Sequence, residues 1–400
     1  MFEELGNWVR GRIQSWIQDL LEEEVTQMLG RGKSERRAAV DATRGYRNGY
    51  GKPRKLALSH GTITVKRPRV RDLEERMESR ILPLFARRTK EVGEMLPELY
   101  LHGLAQGDFE MALRGPLGDG APLSANSIGR LTAKWQTEVE QWQSQSLAGL
   151  DVVYLWVDGI YVKAGLEKEK ACILVALAGL SDGSKVVVGF QTGYRESTES
   201  WAALLRDLKK RGMTCPRLVI GDGHRGIWAA LRQVWPQAQE QRCWNHRFMN
   251  ILDKLPKKLQ PQAKLMLKPI PYAATKKEAE RLRGVFQAWC RKHDCEEAAR
   301  VIDHDWDQMV TFYHFPKEHW VHRRTSNQVE SPFSAVRLRT DAARRYKKTQ
   351  TATALIWKTL MIVQKHFRKL NAPELLKDVF DGAPYVDGIR VNDLETEVAA

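Results

Sequence analysis

A chain of 400 residues that is 42% hydrophobic is long enough for two or three cores at roughly 150 residues per domain. Its 64 Lys and Arg against 49 Asp and Glu leave a net charge of +15, which points to polyanionic partners such as nucleic acid. No apolar run approaches the ~20 residues that span a bilayer, and Met1-Phe-Glu-Glu opens without the basic-then-apolar order of a signal peptide, so the reading excludes membranes and expects a cytoplasmic protein. The cysteines (Cys172, Cys215, Cys243, Cys290, Cys295) are odd in number and scattered, which fits a reducing compartment rather than a disulfide framework.

Phe2, Leu5, Trp8, Val9, Ile13, Trp16, Ile17, Leu20, Leu21, Val25 and Met28 recur at three- and four-residue steps up to Gly30. That spacing predicts an amphipathic helix within a segment 1–43, packing on another domain or on a second copy of the chain. A segment 44–90 follows, in which Arg44 to Arg71 hold nine Lys/Arg and no acid, interleaved with Tyr46, Tyr50 and the alternating Thr62-Ile-Thr-Val-Lys66. Asn48-Gly49 marks a turn, so the stretch reads as a basic, hairpin-like element. Arg47, Lys52, Arg54, Lys55, Lys66, Arg67 and Arg69 are its candidates for contact with a phosphate backbone, against the plainer reading of a solvated basic face.

Segment 91–149 carries three helical patterns, Met95 to Gln106, a short one after Asp108, and Ser127 to about Trp142, the last two separated by Pro116, Gly118, Gly120 and Pro122. With Asn126, Ser127, Arg130, Lys134 and Gln136 on polar positions, the final helix resembles the recognition helix of a helix-turn-helix.

From residue 150 the pattern changes to strands. Val152 to Val157 stops at Asp158-Gly159; Ala171 to Leu180 and Lys185 to Gln191 complete a meander through a loop around Gly165 and the Ser181-Asp-Gly183 turn. A helix capped by Ser197 runs to Gly212, Leu218 to Ile220 is a strand ending at Asp222-Gly223, Ile227 to Val234 is a helix halted by Pro236, and Glu240 to Trp244 is a last strand. Three strands, helix, strand, helix, strand is the ribonuclease-H-like order, in which a right-handed crossover lays the fourth strand beside the first. The fold class expected is therefore α/β: a ribonuclease-H-like mixed sheet core (150–246 and 321–370) with a helical insertion (247–320), preceded by a mainly helical DNA-binding region. Residues 371–400, with two cations against seven acids, read as a loose acidic tail.

A single Asp-Gly pair is most often a turn. Two of them at the ends of adjacent strands suit a shared cation, since a carboxylate at the end of a buried strand is costly without one. A third acid has to come from elsewhere, and Glu330, in the polar segment Arg323-Arg-Thr-Ser-Asn-Gln-Val-Glu330-Ser-Pro-Phe, is the candidate. Asp and Glu oxygens suit Mg²⁺ or Mn²⁺, and a pair of such ions clamps the oxygens of a phosphoryl transfer. Gly221-Asp-Gly223-His-Arg-Gly226 also matches the dinucleotide-binding fingerprint, but Asp222 would set a negative charge against a pyrophosphate. Cys243 and His246 could begin a zinc site completed by Cys290, His293 or Cys295, although the spacing matches no strong pattern. The cluster Asp303-His-Asp305-Trp-Asp307 reads as a solvated face around a packed Trp306.

Asp158-Gly, Asp222-Gly, Cys243-Trp-Asn-His246, Asn327-Gln-Val-Glu330-Ser with Arg337 seven residues on, and Arg47-Asn-Gly-Tyr50 upstream resemble the bacterial mutator-type insertion-sequence transposases over about residues 44–365. The resemblance implies a DDE triad of Asp158, Asp222 and Glu330 that holds two Mg²⁺ (or Mn²⁺) ions, with Cys243 and His246 as the family's Cys-x-x-His signature buttressing the site; beside it, His224 is read as a group near the scissile phosphate or a surface loop histidine, and Arg337 as a phosphate contact or the partner of an acid. It further implies terminal inverted repeats and target DNA as partners, a homodimer or larger assembly on double-stranded DNA, and a nucleoid-associated enzyme that cleaves and joins strands. The alternatives are a DNA-binding regulator that has lost catalysis and a nuclease without strand transfer. Pro332, two residues after Glu330, departs from the family's pattern and is expected to set Glu330 near a helix start.

Overall fold

The structure is a computed structural model that describes residues 2–37, 44–73, 77–82, 86–104, 108–118, 125–163, 171–193, 195–342, 346 and 348–391. The chain divides into two units, Met1–Leu131 and Thr132–Ala400.

In the first unit, α1 (Phe2–Leu29) ends as the spacing predicts, with Gly30 at φ +65°. Its second half packs Leu21, with Ile13 and Ile17, on Leu56, Leu58, Ile63, Val65 and Leu82. The chain then forms β1 (Tyr46–Tyr50), β2 (Arg54–Leu58), β3 (Gly61–Val65) and β4 (Pro68–Arg71). Gln14 and Gln18, one helical turn apart on α1, bond the backbone of Thr64 and Lys66, so the helix satisfies the free edge of β3. The first half of α1 leaves Leu5, Trp8 and Trp16 between 54% and 64% exposed.

Asn48-Gly49 is not the hairpin turn its composition suggests. It lies inside β1, where Gly49 takes φ +60° and the pairing with β4 slips between Arg47 and Tyr50, the mark of a bulge. The tight hairpin instead joins β2 to β3 through Ser59 and His60. Three helices follow as expected, α2 (Lys90–Leu101), α3 (Phe109–Leu117) and α4 (Ala125–Gln143), with Gly118 at φ +77° closing α3. Gln106, Gly120 and Pro122 lie outside the described residues, as do the side chains of Asn126 and Ser127. The unit boundary falls within α4. From Thr132 onward that helix is built into the second unit: Trp135 and Val139 are buried, Trp142 packs on Trp357, and Glu138 pairs with Lys358 at 2.6 Å.

The second unit is organised by one mixed sheet of β5 (Val152–Val162), β6 (Ala171–Leu180), β7 (Lys185–Gly193), β8 (Leu218–Gly221) and β9 (Gln239–Arg242), in the spatial order β7-β6-β5-β8-β9. The first three strands form the antiparallel meander, while β8 runs parallel to β5 and β9 parallel to β8. The fourth strand does lie beside the first. The loop around Gly165 falls outside the described residues. α5 (Thr198–Lys210) and α6 (Arg225–Val234) cover the sheet, burying Trp201, Leu204, Leu205 and Leu208 from one and Ile227, Trp228 and Leu231 from the other against Leu155, Val157, Leu174 and Val219. Ser197 caps α5 by accepting a hydrogen bond from the Ser200 N–H at 3.1 Å.

Two strand ends differ from expectation. β5 does not stop at Asp158-Gly159 but runs on to Val162, because β6 continues the pairing past Asp158, which faces Val175. β9 ends at Arg242, and the chain turns at Cys243 into α7 (Trp244–Leu252).

The insertion is helical, with α8 (Gln260–Leu267), α9 (Lys276–Lys292), α10 (Glu296–Asp303) and α11 (Trp306–Met309) around Trp244, Phe286, Phe312 and Trp320. α12 (Trp320–Arg323), α13 (Asn327–Glu330), α14 (Phe333–Asp341) and α15 (Thr349–Gln364) return to the sheet. Arg323, fully buried, lies over the Tyr154 and Trp156 rings of β5 at 3.2 and 4.9 Å, a cation–π clasp between helix and strand. Among the described residues no helix is long and apolar enough to cross a membrane.

Residues 371–391 are not a loose tail. They form α16 (Glu374–Asp381) and a two-strand ribbon, bury Leu376, Val379 and Tyr385, and bind the core through Arg217 to the Phe380 carbonyl at 2.6 Å and the Lys276 N–H to Asp387 at 2.7 Å. Their acids are partnered close by, Asp378 with Arg390 and Asp381 with Lys377. Apolar residues placed at helical spacing outweighed the acidic composition. Leu376→Ala, at a fully buried position, is expected to cost roughly 2–5 kcal/mol. Urea unfolding reads this directly, and a midpoint equal to that of the wild type would show that the segment is not part of the core.

Candidate active site

Parallel pairing of β5 with β8 sets the geometry. Tyr154 faces Leu218, Leu155 faces Val219 and Trp156 faces Ile220, an offset of 64 residues in every pair. Asp222 follows Asp158 by the same 64 residues, so the register carried two residues further brings the two acids level on neighbouring chains. Neighbouring strands lie about 4.8 Å apart. The interval legible in the sequence is thus the sheet register itself.

Asp158 accepts the Gly159 N–H at 2.8 Å, and Asp222 accepts the His224 N–H at 2.8 Å. Burial first, and the neighbouring Asp222 charge second, push the Asp158 carboxyl up to about 8, with Glu330 and Glu196 adding to the repulsion. Two carboxylates about 5 Å apart in a medium of effective dielectric ~20 repel by about 3 kcal/mol. That exceeds what the single backbone hydrogen bond to each acid returns.

Glu330 is delivered to the same neighbourhood by a set of stitches from the start of α7. Cys243, buried at its N-cap, takes the Ser326 N–H on its sulfur at 3.3 Å; the Trp244 N–H bonds the Arg324 carbonyl at 2.9 Å; Asn245 bonds Asn327 at 2.9 Å. The Ser326 hydroxyl bonds the Glu330 carboxylate directly. Pro332 sits at a helix start as expected: it is the N-cap of α14, and Glu330 ends the single turn of α13 just before it.

Cys243-x-x-His246 therefore spans a helix start. The Cys243 sulfur holds the His246 imidazole protonated, with its pKa raised to about 9 against the opposing effect of burial, and Glu330 and Asp222 reinforce it. His246 Nδ1 lies 3.7 Å from Glu330. Cys243, His246 and Glu330 have ligand atoms within 4.8 Å of one another, which makes Glu330, not Cys290, His293 or Cys295, the group that joins this pair. Cys290 and Cys295 are buried in the core of the insertion.

His224 is exposed and caps α6, its ring accepting the Gly226 N–H at 3.3 Å. Arg337 is exposed on α14, two turns beyond Glu330. The glycines of the dinucleotide-like run are needed for packing: a Cβ on Gly223 would overlap the Arg242 guanidinium, and one on Gly226 would lie 2.6 Å from the Glu196 carbonyl. Asp305 is not part of a solvated face. It sits in the left-handed region at φ 61° and pairs with Arg242, with Arg247 at 3.1 Å and with His304 at 2.8 Å, linking the insertion to β9 and α7. Trp306 is buried, as expected. Sequence reasoning passed over Glu196, which borders Asp158 and Asp222, because an acid ahead of a helix cap looks like any other helix-start residue.

Of the basic candidates, Lys52, Lys55, Lys66, Arg69, Arg130 and Lys134 are exposed, while Arg54 and Arg67 are half-buried. Arg67 donates to the Met77 carbonyl at 2.9 Å. Arg47 is committed to α1 through Glu22 at 3.0 Å and Thr26 at 2.7 Å.

The register sets Asp158 and Asp222 side by side, and the charge of Glu330 is felt at Asp158, whereas the ligand atoms that lie within 4.8 Å of one another among the described residues are those of Cys243, His246 and Glu330. Residues 3–369 match the family described as "Transposase, Mutator family", and the chain belongs to that family. It is 44% identical over 297 residues to the transposase for insertion sequence element IS6120 of Mycolicibacterium smegmatis, covering 74% of this chain and 92% of the relative. The transposase for insertion sequence element IST2 of Acidithiobacillus ferrooxidans is 37% identical over 288 residues, covering 71% of this chain and 96% of the relative. The transposase for insertion sequence element ISRM5 of Rhizobium meliloti is 26% identical over 354 residues, covering 87% and 85%.

The raised pKa of Asp158 makes a prediction about the metal-free protein. Between the unfolded value near 3.9 and the folded value of about 8, the folded state holds the extra proton, so stability falls as pH rises across that window. In chelator, thermal melts at pH 5 and pH 8 should therefore show a shallower decline for Asp158→Asn than for the wild type, and the variant should be the more stable of the two at pH 8. Identical declines would contradict the repulsion described here.

Proposed function

We propose that this protein is a DNA transposase that binds the terminal inverted repeats of its element and cleaves and joins DNA strands through Asp158, Asp222 and Glu330. The single observation that carries the reading is the β5–β8 register, which, carried two residues past Trp156 and Ile220, sets Asp158 level with Asp222 just beyond β8, with the charge of Glu330 raising the Asp158 pKa. The sheet order β7-β6-β5-β8-β9 supports a ribonuclease-H-like core.

The donor set fits hard divalent cations in kind, since carboxylate oxygens suit them and the repulsion at Asp158 is what a cation would relieve, although among the described residues it is Cys243, His246 and Glu330 whose ligand atoms lie within 4.8 Å of one another. Two Mg²⁺ (or Mn²⁺) ions held by the three acids, when bound, would clamp the attacking and leaving oxygens of an in-line displacement. This chain's own residues prepare that step. Asp158 and Asp222 are fixed by the sheet, Glu330 is aimed by Ser326, and the imidazolium of His246 offsets part of the acidic charge. In the first reaction water attacks the phosphodiester at an element end, forming a P–O bond as the bond to the 3′-oxygen breaks and releases a 3′-hydroxyl. That hydroxyl then attacks a target phosphodiester, and the target's own 3′-oxygen leaves with the proton. No enzyme side chain becomes covalently attached.

Double-stranded DNA, both the inverted repeats and the target, is the proposed partner, and bringing two ends together calls for a homodimer or larger assembly at the nucleoid in the cytoplasm. The first unit supplies the binding surface, with the helices up to α4 in a helix-turn-helix role.

The test is an end-cleavage and strand-transfer assay on the element's inverted repeats. Asp158→Asn should abolish Mg²⁺-dependent cleavage while binding of the same DNA stays within a few-fold; a variant that cleaves normally refutes the assignment. A joined product from a pre-cut end separates transposition from simple nuclease action.

The basic surface gives a second expectation. Replacing the exposed Lys52, Lys55, Lys66 and Arg69 together by Ala should weaken DNA binding for all sequences alike. It should also reduce the slope of log K against log salt by about 0.9 for each phosphate that is no longer neutralised. Arg47→Ala, which breaks the Glu22 pair, should lower the stability of the first unit and leave that slope unchanged. Binding titrations at several salt concentrations decide both points, and an unaltered slope in the quadruple variant would remove these residues from the interface.

A further inference from the structure

Glu196 stands between β7 and α5, immediately before the Ser197 cap, and is only 6% exposed. Its carboxylate lies on Gly159, the residue after Asp158. A Cβ there would come within 2.6 Å of Oε1 and 2.7 Å of Cδ, so the Glu196 carboxylate keeps its present place only against a glycine. Gly226, four residues after Asp222, is cleared in the same way, since its Cβ would meet the Glu196 carbonyl at 2.6 Å. The segments that follow both acids are thus stripped of side chains where Glu196 passes.

Its surroundings are those of a ligand rather than of an ion pair. Burial first, then the charge of Asp222, raises its pKa, Asp158 repels it in turn, and the His224 and His246 rings attract it. The Tyr161 hydroxyl donates to the carboxylate, but Oε2 is buried without any hydrogen-bond partner. Among the described residues no Lys or Arg forms a salt bridge with it. A buried carboxylate oxygen with no donor is costly, and a fold that merely needed a side chain here would do better with an apolar one. The cost is accounted for if a cation takes that oxygen.

We propose that Glu196 is a fourth carboxylate of the divalent-cation site, contributing Oε2 as a ligand beside Asp158 and Asp222. The inference rests on the reading of those two acids as metal-holding, and its test separates the two. Full-length wild type, Glu196→Gln and Asp158→Asn are titrated with Mn²⁺ in the absence of DNA, following the electron paramagnetic resonance signal of the free aqueous ion. In parallel, cleavage is measured against Mg²⁺ concentration with the DNA saturating. Glu196→Gln keeps the shape of the side chain. It should weaken Mn²⁺ binding tenfold or more and shift the Mg²⁺ concentration for half-maximal cleavage upward by a similar factor, with DNA affinity unchanged.

A Glu196→Gln protein with wild-type Mn²⁺ affinity and wild-type Mg²⁺ dependence overturns the proposal, and it does so without touching the triad if Asp158→Asn has lost both. Normal Mn²⁺ binding and cleavage by Asp158→Asn would instead remove the reading on which the proposal stands. Should Glu196→Gln fail to fold, Glu196→Asp carries the test: a lower Mn²⁺ affinity that leaves the metal-free melting temperature unchanged supports a ligand, and wild-type affinity rejects one.

Discussion

Everything at this site depends on the pairing of two parallel strands. β5 and β8 share a register in which equal positions differ by 64 residues, and that register sets Asp158 and Asp222 side by side. Left alone the pair is unfavourable, because burial and mutual repulsion act in the same direction on Asp158. The sheet can hold it because the strands are anchored elsewhere. Val152 to Val157 are all at most 1% exposed, and the clasp of Arg323 on Tyr154 and Trp156 fastens the strand from the helical side. Apolar burial at about 25 cal/mol per Å² over a strand of that kind easily exceeds a repulsion of about 3 kcal/mol. The repulsion is thus carried by Asp158, inside the β5 ladder, and by Asp222, one residue past the end of β8.

The third acid obeys a different logic. Glu330 is not on the sheet, and the one-turn helix that bears it is too short to hold a position by itself. Its place comes from α7, which begins right after β9 and bonds residues 324, 326 and 327 through three consecutive positions, Cys243 to Asn245. The backbone N–H of Cys243 bonds the Gly221 carbonyl at 2.8 Å, so the same residue is tied to β8 on one side and to the Glu330 segment on the other. Cys243-Trp-Asn-His246 is therefore the coupling between sheet and third acid, with Trp244 driving the first turn of α7 into the insertion's core.

How far this was legible in the sequence follows from which forces act locally. Strand and helix order in the second unit was readable because apolar periodicity and caps such as Ser197 and Gly212 act over a few residues. Asp158 and Asp222 were readable because the crossover rule fixes which strands touch. The end of β5 was misjudged because Asp158-Gly159 is a turn signal in isolation, and only pairing with β6 overrides it. Asn48-Gly49 failed for the same reason, absorbed as a bulge by β4. The acidic segment 371–391 was misjudged because net charge describes composition, whereas Leu376 and Val379 decide packing. The surroundings of Glu196 and the arginine partners of Asp305 were not legible, since Asp222 is 26 residues from the first and Arg242 and Arg247 are 63 and 58 residues from the second.

The insertion can be understood in the same electrostatic terms. Arg242 ends β9 with its guanidinium beside Gly223, the residue after Asp222. That guanidinium is bound to Asp305, along with Arg247. Strong charge-assisted bonds of this kind commit a guanidinium to one direction. Asp305 thus holds the Arg242 guanidinium, which lies beside Gly223, and ties β9 and α7 to the insertion through two arginines. The helical insertion thereby does more than fill the interval between Asp222 and Glu330: its Asp305 is a charged anchor for the edge strand of the sheet and the start of α7.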